Sequence, residues 1–236
     1  MPVFKTYKCL ALSVFCRHFF YSKGMPFLQK KPLIGTSVPL YTVGLNRTLV
    51  IVGLGNPGKE YTATRHNIGF ACLDAIHASS DFPAWIHKKD LQAQISVQNV
   101  AGTRVILAKP TTFMNRSGEA TQAILHFYKL TPRDLLVVHD ELDIPFGQIR
   151  LRVGGSSAGN NGVASIIQHT GEEFARVRVG IRNEIAEQAD GADFVLSKFS
   201  KEEQAQLKAL TQEVTVTLTE FIHQVQITTE TRSFII

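Results

Sequence analysis

One run of the chain concentrates residue types that can do chemistry: Val52-Gly-Leu-Gly-Asn-Pro-Gly-Lys-Glu-Tyr-Thr-Ala-Thr-Arg-His-Asn-Ile-Gly69. It opens as an apolar strand over Leu49–Leu54, turns through glycines around Asn56, and reaches His66 and Asn67 just before an apolar helical pattern. Polar residues at the carboxyl end of a strand in an open α/β sheet face a ligand crevice, so this run marks the active edge. A second candidate is Asp140, which follows four apolar strand residues in His139-Asp-Glu-Leu-Asp143. A carboxylate at a strand tip can accept a hydrogen bond from one ring nitrogen of a histidine, fixing its tautomer and making the other nitrogen more basic. Glu141 or Asp143, rather than Asp140, reads as a surface turn cap. The three acids could instead hold a hard cation, but no second carboxylate cluster completes such a site.

Further polar residues lie between other elements. Asn115, in Thr111-Thr-Phe-Met-Asn115, can hold a peptide group or a water through its amide, or serve only as a turn residue. The loop Gly154-Gly-Ser-Ser-Ala-Gly-Asn-Asn-Gly162 can bring backbone N–H groups to an anion, and Asn161 within it reads equally well as a helix cap. Arg150 and Arg152 share one strand face. With Arg178 on another strand they can converge on a phosphate, and no acid between Ile144 and Gly171 neutralises them. Gly53, Gly55 and Gly58 spell a dinucleotide fingerprint, but Pro57 and the polar stretch through Arg65 delay the helix that must meet a pyrophosphate.

The elements that position these residues alternate. The strand at 49–54 precedes a helix over His66–His77, and Gln94–Val100 with Arg104–Ala108 forms a hairpin around Ala101-Gly102. Ser117 is read as capping the next helix, Leu135–Val138 as a short buried strand, and Ile149–Val153 as a strand. A helix over Gly162–His169 ends at Gly171 and is followed by a strand over Ala175–Ile181. Ser200 and Glu203 form a capping box for a long helix to about Val225. The fold class is therefore α/β: a single layered domain with a central mixed β-sheet flanked by helices.

Composition separates two parts of the chain. The net charge of +5 comes from the first 48 residues, which carry seven Lys or Arg and no acid; the remaining 18 basic residues face 20 acidic ones, a balance near −2. Global basicity therefore says nothing about the ligand. This acid-free leader, with Phe15, Phe19, Phe20 and Tyr21 around Arg17 and His18, reads as an organelle transit segment, with an untargeted tail or a secretory signal as competitors. Met25 offers a second start. The expected organisation is a transit segment over 1–47, a catalytic domain over 48–226 and a frayed tail over 227–236. The location expected is mitochondrial, or cytoplasmic if the leader is unused. Of three cysteines only Cys72 falls in the domain, which rules out a disulfide framework there. No run of about 18 apolar residues suggests a membrane span.

Taken in order and spacing, GLGNPGKEYTATRHNIG, TTFMN, HDELD and the GG…NG loop resemble the bacterial-type peptidyl-tRNA hydrolase family over most of Thr48 to about Phe221. The resemblance implies a monomeric α/β domain that needs no metal or cofactor. It implies hydrolysis of the ester joining a peptide to tRNA, with peptidyl-tRNA as the partner. It places the catalytic histidine at His66, its acid at Asp140, and substrate-binding amides at Asn56, Asn115 and Asn161. Met114 and Tyr61 match cleft-lining positions, and Arg150, Arg152 and Arg178 match tRNA phosphate contacts. In the implied mechanism, Asn56 fixes the water or steadies the oxyanion. Two positions depart from the family pattern. Asn160 stands where a histidine is common, and Arg182-Asn183-Glu184 with the acidic stretch to Asp193 replaces a basic loop. A non-catalytic RNA-binding relative of the same fold is the alternative.

Overall fold

The computed structural model describes residues 47–187, 189–223 and 231–233. The leader, where a transit segment is expected, and most of the C-terminal tail lie outside the described residues. Eight strands form one mixed sheet: β1 (Arg47–Gly53), β2 (Ile86–Lys88), β3 (Ala93–Val100), β4 (Thr103–Pro110), β5 (Leu135–Pro145), β6 (Gln148–Val153), β7 (Ala175–Arg182) and β8 (Thr231–Ser233). Their order across the sheet is β2-β3-β4-β1-β5-β7-β6-β8. The centre is parallel, with β1 between β4 and β5, and β7 beside β5. Both margins are antiparallel.

Helices cover both faces, which is why the central strands are apolar at every position rather than every second one. Leu49, Ile51, Leu136 and Val138 point toward α1 (Ile68–Ser79) and α5 (Lys201–His223), where Leu73, Val214 and Leu218 meet them. The alternate residues Val50, Val52, Leu135 and Val137 pack with Ile124 of α2 (Ser117–Tyr128) and with Val163 and Ile166 of α3 (Asn161–Thr170). The short α4 (Gly191–Leu196) precedes α5. Helix α1 lies close on the sheet because Gly69 has no side chain. A Cβ there would sit 2.4 Å from the carbonyl of Val138 and 2.5 Å from that of Leu54. That contact pins the turn preceding α1, where His66 sits, at the ends of β1 and β5.

Local signals read from sequence appear as expected at two places. Ala101 and Gly102 both take positive φ in the two-residue β3–β4 turn. The Ser200–Glu203 capping box is reciprocal: Ser200 N–H donates to Glu203 at 2.7 Å and Glu203 N–H to Ser200 Oγ at 3.2 Å.

Three expectations are corrected. Strand β5 does not stop at Val138 but runs through the acidic run, because Asp140 and Glu141 stay in register with Val179 and Gly180 of β7. Ser117 is not a cap: α2 is entered through a 3-10 turn over Met114–Arg116, and the Ser117 hydroxyl is buried without a partner. Thr231–Ser233 pairs with β6 as an edge strand, so this part of the C-terminal segment is not frayed.

Candidate active site

The carboxyl ends of β1 and β5 open beside a cavity of about 750 Å³ that is lined by Asn56, His66, Met114, Asn115, Asp140 and Asn161 together with apolar walls. His66 arrives on a 3-10 turn, Arg65–Asn67, just before α1. Its Nδ1 donates to Asp140 Oδ2 at 2.9 Å, and both side chains are more than nine-tenths buried. An ionised carboxylate only accepts, so this bond puts the ring proton on Nδ1 and leaves Nε2 with a free lone pair.

Asn56 is held by three hydrogen bonds that the linear sequence does not announce. Its side-chain Oδ1 accepts from Met114 N–H at 2.8 Å. Its main chain exchanges two further bonds with the Asn67 amide, each 2.9 Å. With Oδ1 committed, the Asn56 NH₂ is the end left for a ligand in the cavity. Asn67 is thus the brace of the glycine turn, a role signalled only by its place beside His66. Arg65 anchors the same turn from the other side through a buried pair with Glu203 at 2.5 Å, between the rings of Phe194 and Phe199.

Met114 forms the cavity wall against Gly162, where a Cβ would lie 2.4 Å from its sulfur. Asn115 and Asn161 line the cavity with exposed side chains. Asn161 is the first residue of α3; the cap is Asn160, whose Oδ1 accepts from Gly162 N–H and Val163 N–H. Tyr61 does not line the cavity. It packs edge-on against Phe113, centroids 6.4 Å apart, and it is Phe113 that borders the opening. The departure at Asn160 has a visible consequence, since its amide donates to Asp140 Oδ1 at 2.9 Å. The acidic segment after β7 turns out to build the cleft: Asp190 caps α4, and Gly191, Ala192, Val195 and Leu196 form one wall.

Glu141 is not a surface cap. It is 2% exposed, lines the cavity and accepts from Arg178 Nε at 2.8 Å. Its neighbour His139 is wholly buried, with Nδ1 on the Asp140 carbonyl at 2.7 Å and Nε2 unpartnered. Burial lowers the His139 pKa from its usual 6.5, against the opposing pull of Asp140 and Glu141.

Behind the cavity, Arg150 lies opposite Arg178 and Arg152 opposite Arg176 across the β6–β7 pair, so four guanidinium groups leave one face. They are not equivalent. Arg178 is tied to Glu141. Arg176 is 2% exposed and donates to the carbonyls of Gly154, Gly155 and Ser156. Burial and then the charges of Arg152 and Arg178 lower its pKa. The glycine loop therefore turns three carbonyls to a cation, where the sequence suggested N–H groups for an anion. Arg152 is exposed and lies against Gly155, and Arg150 donates to Gln148 Oε1 at 3.4 Å. Among the described residues no acid pairs with either.

A histidine held by a carboxylate, with amides around a shared cavity at the strand ends of an α/β sheet, is an arrangement able to activate a water molecule. Sequence and structure comparisons then assign the family. The peptidyl-tRNA hydrolase family model matches residues 50–234, and the chain belongs to that family. It is 46% identical over 162 residues to the peptidyl-tRNA hydrolase of Sinorhizobium fredii, covering 69% of this chain and 66% of that one. With the Fusobacterium nucleatum peptidyl-tRNA hydrolase it shares 44% identity over 166 residues, covering 70% and 84%. The chain thus spans just under two thirds of the length of the first of these relatives. The crystal structure of peptidyl-tRNA hydrolase from Acinetobacter baumannii superposes with a TM-score of 0.63 at 33% identity, over 76% of this chain and 96% of that one.

Proposed function

We propose that this protein hydrolyses the ester bond between peptide and tRNA in peptidyl-tRNA, releasing tRNA from abandoned translation. The observation that carries the reading is the His66–Asp140 pair, 2.9 Å apart and sharing one cavity with Asn56. Nε2 of His66 takes a proton from water as the oxygen attacks the ester carbonyl, and the imidazolium formed is stabilised by Asp140. The Asn56 NH₂ orients that water or donates to the developing oxyanion. Collapse of the tetrahedral species expels the ribose oxygen, which regains the proton from His66. Asn115 and Asn161 hold the peptide backbone, so recognition is indifferent to most side chains. No step assigns work to a metal or cofactor.

The tRNA lies along the β6–β7 face, with Arg150 and Arg152 gripping phosphate and Arg178, held through Nε, adding its charge. Backbone and shape carry this recognition. The protein acts as a monomer in mitochondria under this reading, the leader serving as transit segment; import of a leader-tagged reporter tests that part. The family's non-catalytic alternative is disfavoured by the intact His66–Asp140–Asn56 constellation. The activity test is release of free tRNA from N-acetyl-aminoacyl-tRNA by the purified protein. Absence of release under conditions where the Fusobacterium relative acts would refute the assignment.

A further inference from the structure

Asp140 receives hydrogen bonds from two elements that pack on opposite faces of the sheet. His66, from the turn before α1, binds Oδ2, and Asn160, from the loop before α3, binds Oδ1 at 2.9 Å and the Asp140 carbonyl at 3.2 Å. The orientation of the Asn160 amide is set independently, because its oxygen accepts from Gly162 N–H at 3.0 Å and Val163 N–H at 3.1 Å. The NH₂ end must then face the carboxylate. A carboxylate bonded at one oxygen can rotate about Cβ–Cγ; bonded at both, it presents a fixed lone pair to the histidine.

We propose that Asn160 is a positioning residue: its amide holds the Asp140 carboxylate in the orientation that binds His66 and ties it to the first turn of α3, where Asn161 lines the cleft. The inference rests on the hydrolase reading above. The groups facing Asp140 are His66 from the α1 side, His139 on its own strand, and the Glu141–Arg178 pair on β5 and β7. Of the two side chains bonded to the Asp140 carboxylate oxygens, Asn160 is the one that cannot change charge. The carboxylate's second partner therefore stays constant while His66 cycles between neutral and protonated.

Two variants separate this role from helix capping, since Ser and Asp both cap well. Asn160→Ser keeps a cap oxygen but is too short to reach Asp140. Asn160→Asp keeps the cap and sets a second carboxylate beside the first, and the added negative charge favours imidazolium at His66. With the full chain acting on N-acetyl-aminoacyl-tRNA, Asn160→Ser should lower kcat about 10–100-fold with KM within about twofold. Asn160→Asp should move the acid limb of the kcat–pH profile up by about one unit. Without substrate, ¹⁵N NMR of the His66 ring should show the proton on Nδ1 in the parent and a tautomer mixture in Asn160→Ser. Wild-type kcat, pH profile and tautomer in both variants would overturn the proposal. So would a fall in Tm of Asn160→Ser with the tautomer unchanged. A parent inactive on this substrate refutes the hydrolase assignment instead, and the tautomer measurement still judges Asn160.

Discussion

The cleft at the ends of β1 and β5 and the arginine face on β6 and β7 are built by opposite rules. In the cleft, His66, Asn56, Asp140 and Asn160 each have a buried hydrogen bond that dictates their orientation. On the β6–β7 face only the two arginines nearest the centre of the sheet, Arg176 and Arg178, are locked, while Arg150 and Arg152 have no acidic partner among the described residues. Proton transfer needs atoms placed to a fraction of an ångström, and the protein meets that need with fixed dipoles. A phosphate is a large charge that a long side chain can follow, and freedom there costs little. Glu141 joins the two regions, lining the cavity with one side and holding Arg178 with the other.

If this contrast is right, losses in the cleft should appear in kcat and losses on the arginine face in KM and salt dependence. The largest effect is expected from His66→Ala, which should reduce kcat about 10²–10⁴-fold while tRNA binding, measured by filter retention, stays near the parent value. Full turnover in that variant would sink the mechanism. Next, Asn56→Asp retains the acceptor for Met114 N–H but replaces the NH₂ donor, so Tm should hold while kcat falls about 10²–10³-fold; equal loss in Tm would make Asn56 structural only.

Glu141→Gln leaves Arg178 largely buried without its counter-charge, and urea denaturation should show a loss of about 3 kcal/mol. A neutral result would mean that the two regions are not coupled through this pair. Arg152→Ala should raise KM several-fold and make the logarithmic salt slope shallower by about one, with kcat near normal. An unchanged slope would remove it from the RNA face.

The smallest effect concerns His139. Its folded pKa is depressed by burial, so the unfolded chain binds a proton more readily. The stability from a neutral His139 is fully present above its ordinary value of 6.5 and is lost as pH falls from there toward the folded pKa. His139→Asn should therefore lose less Tm than the parent between neutral and mildly acid pH. Identical acid sensitivity would show that other groups set it.

Some of this was legible without coordinates because it is local. The β3–β4 turn, the Ser200–Glu203 box and the apolar β1 strand depend on residues within a few positions of one another, and each appears where it was read. The extension of β5 was not legible. An acidic run reads as a turn, and it stays in the strand because Asp140 and Glu141 meet His66 and Arg178 from distant segments. The packing of Tyr61 edge-on against Phe113, which borders the opening, leaves no mark on periodicity. Glu141, Asn67 and Asn160 escaped notice as site residues for the same reason: their partners lie across the fold.

Residue types and spacing by themselves determined that an imidazole, a strand-tip carboxylate and several amides would gather at one edge of a mixed α/β sheet, because alternation and strand polarity are short-range properties. Only the tertiary structure decided which nitrogen of His66 carries the proton, which arginines are free to grip, and which amide faces Asp140. Those choices follow from hydrogen bonds between segments that meet only when both faces of the sheet are covered.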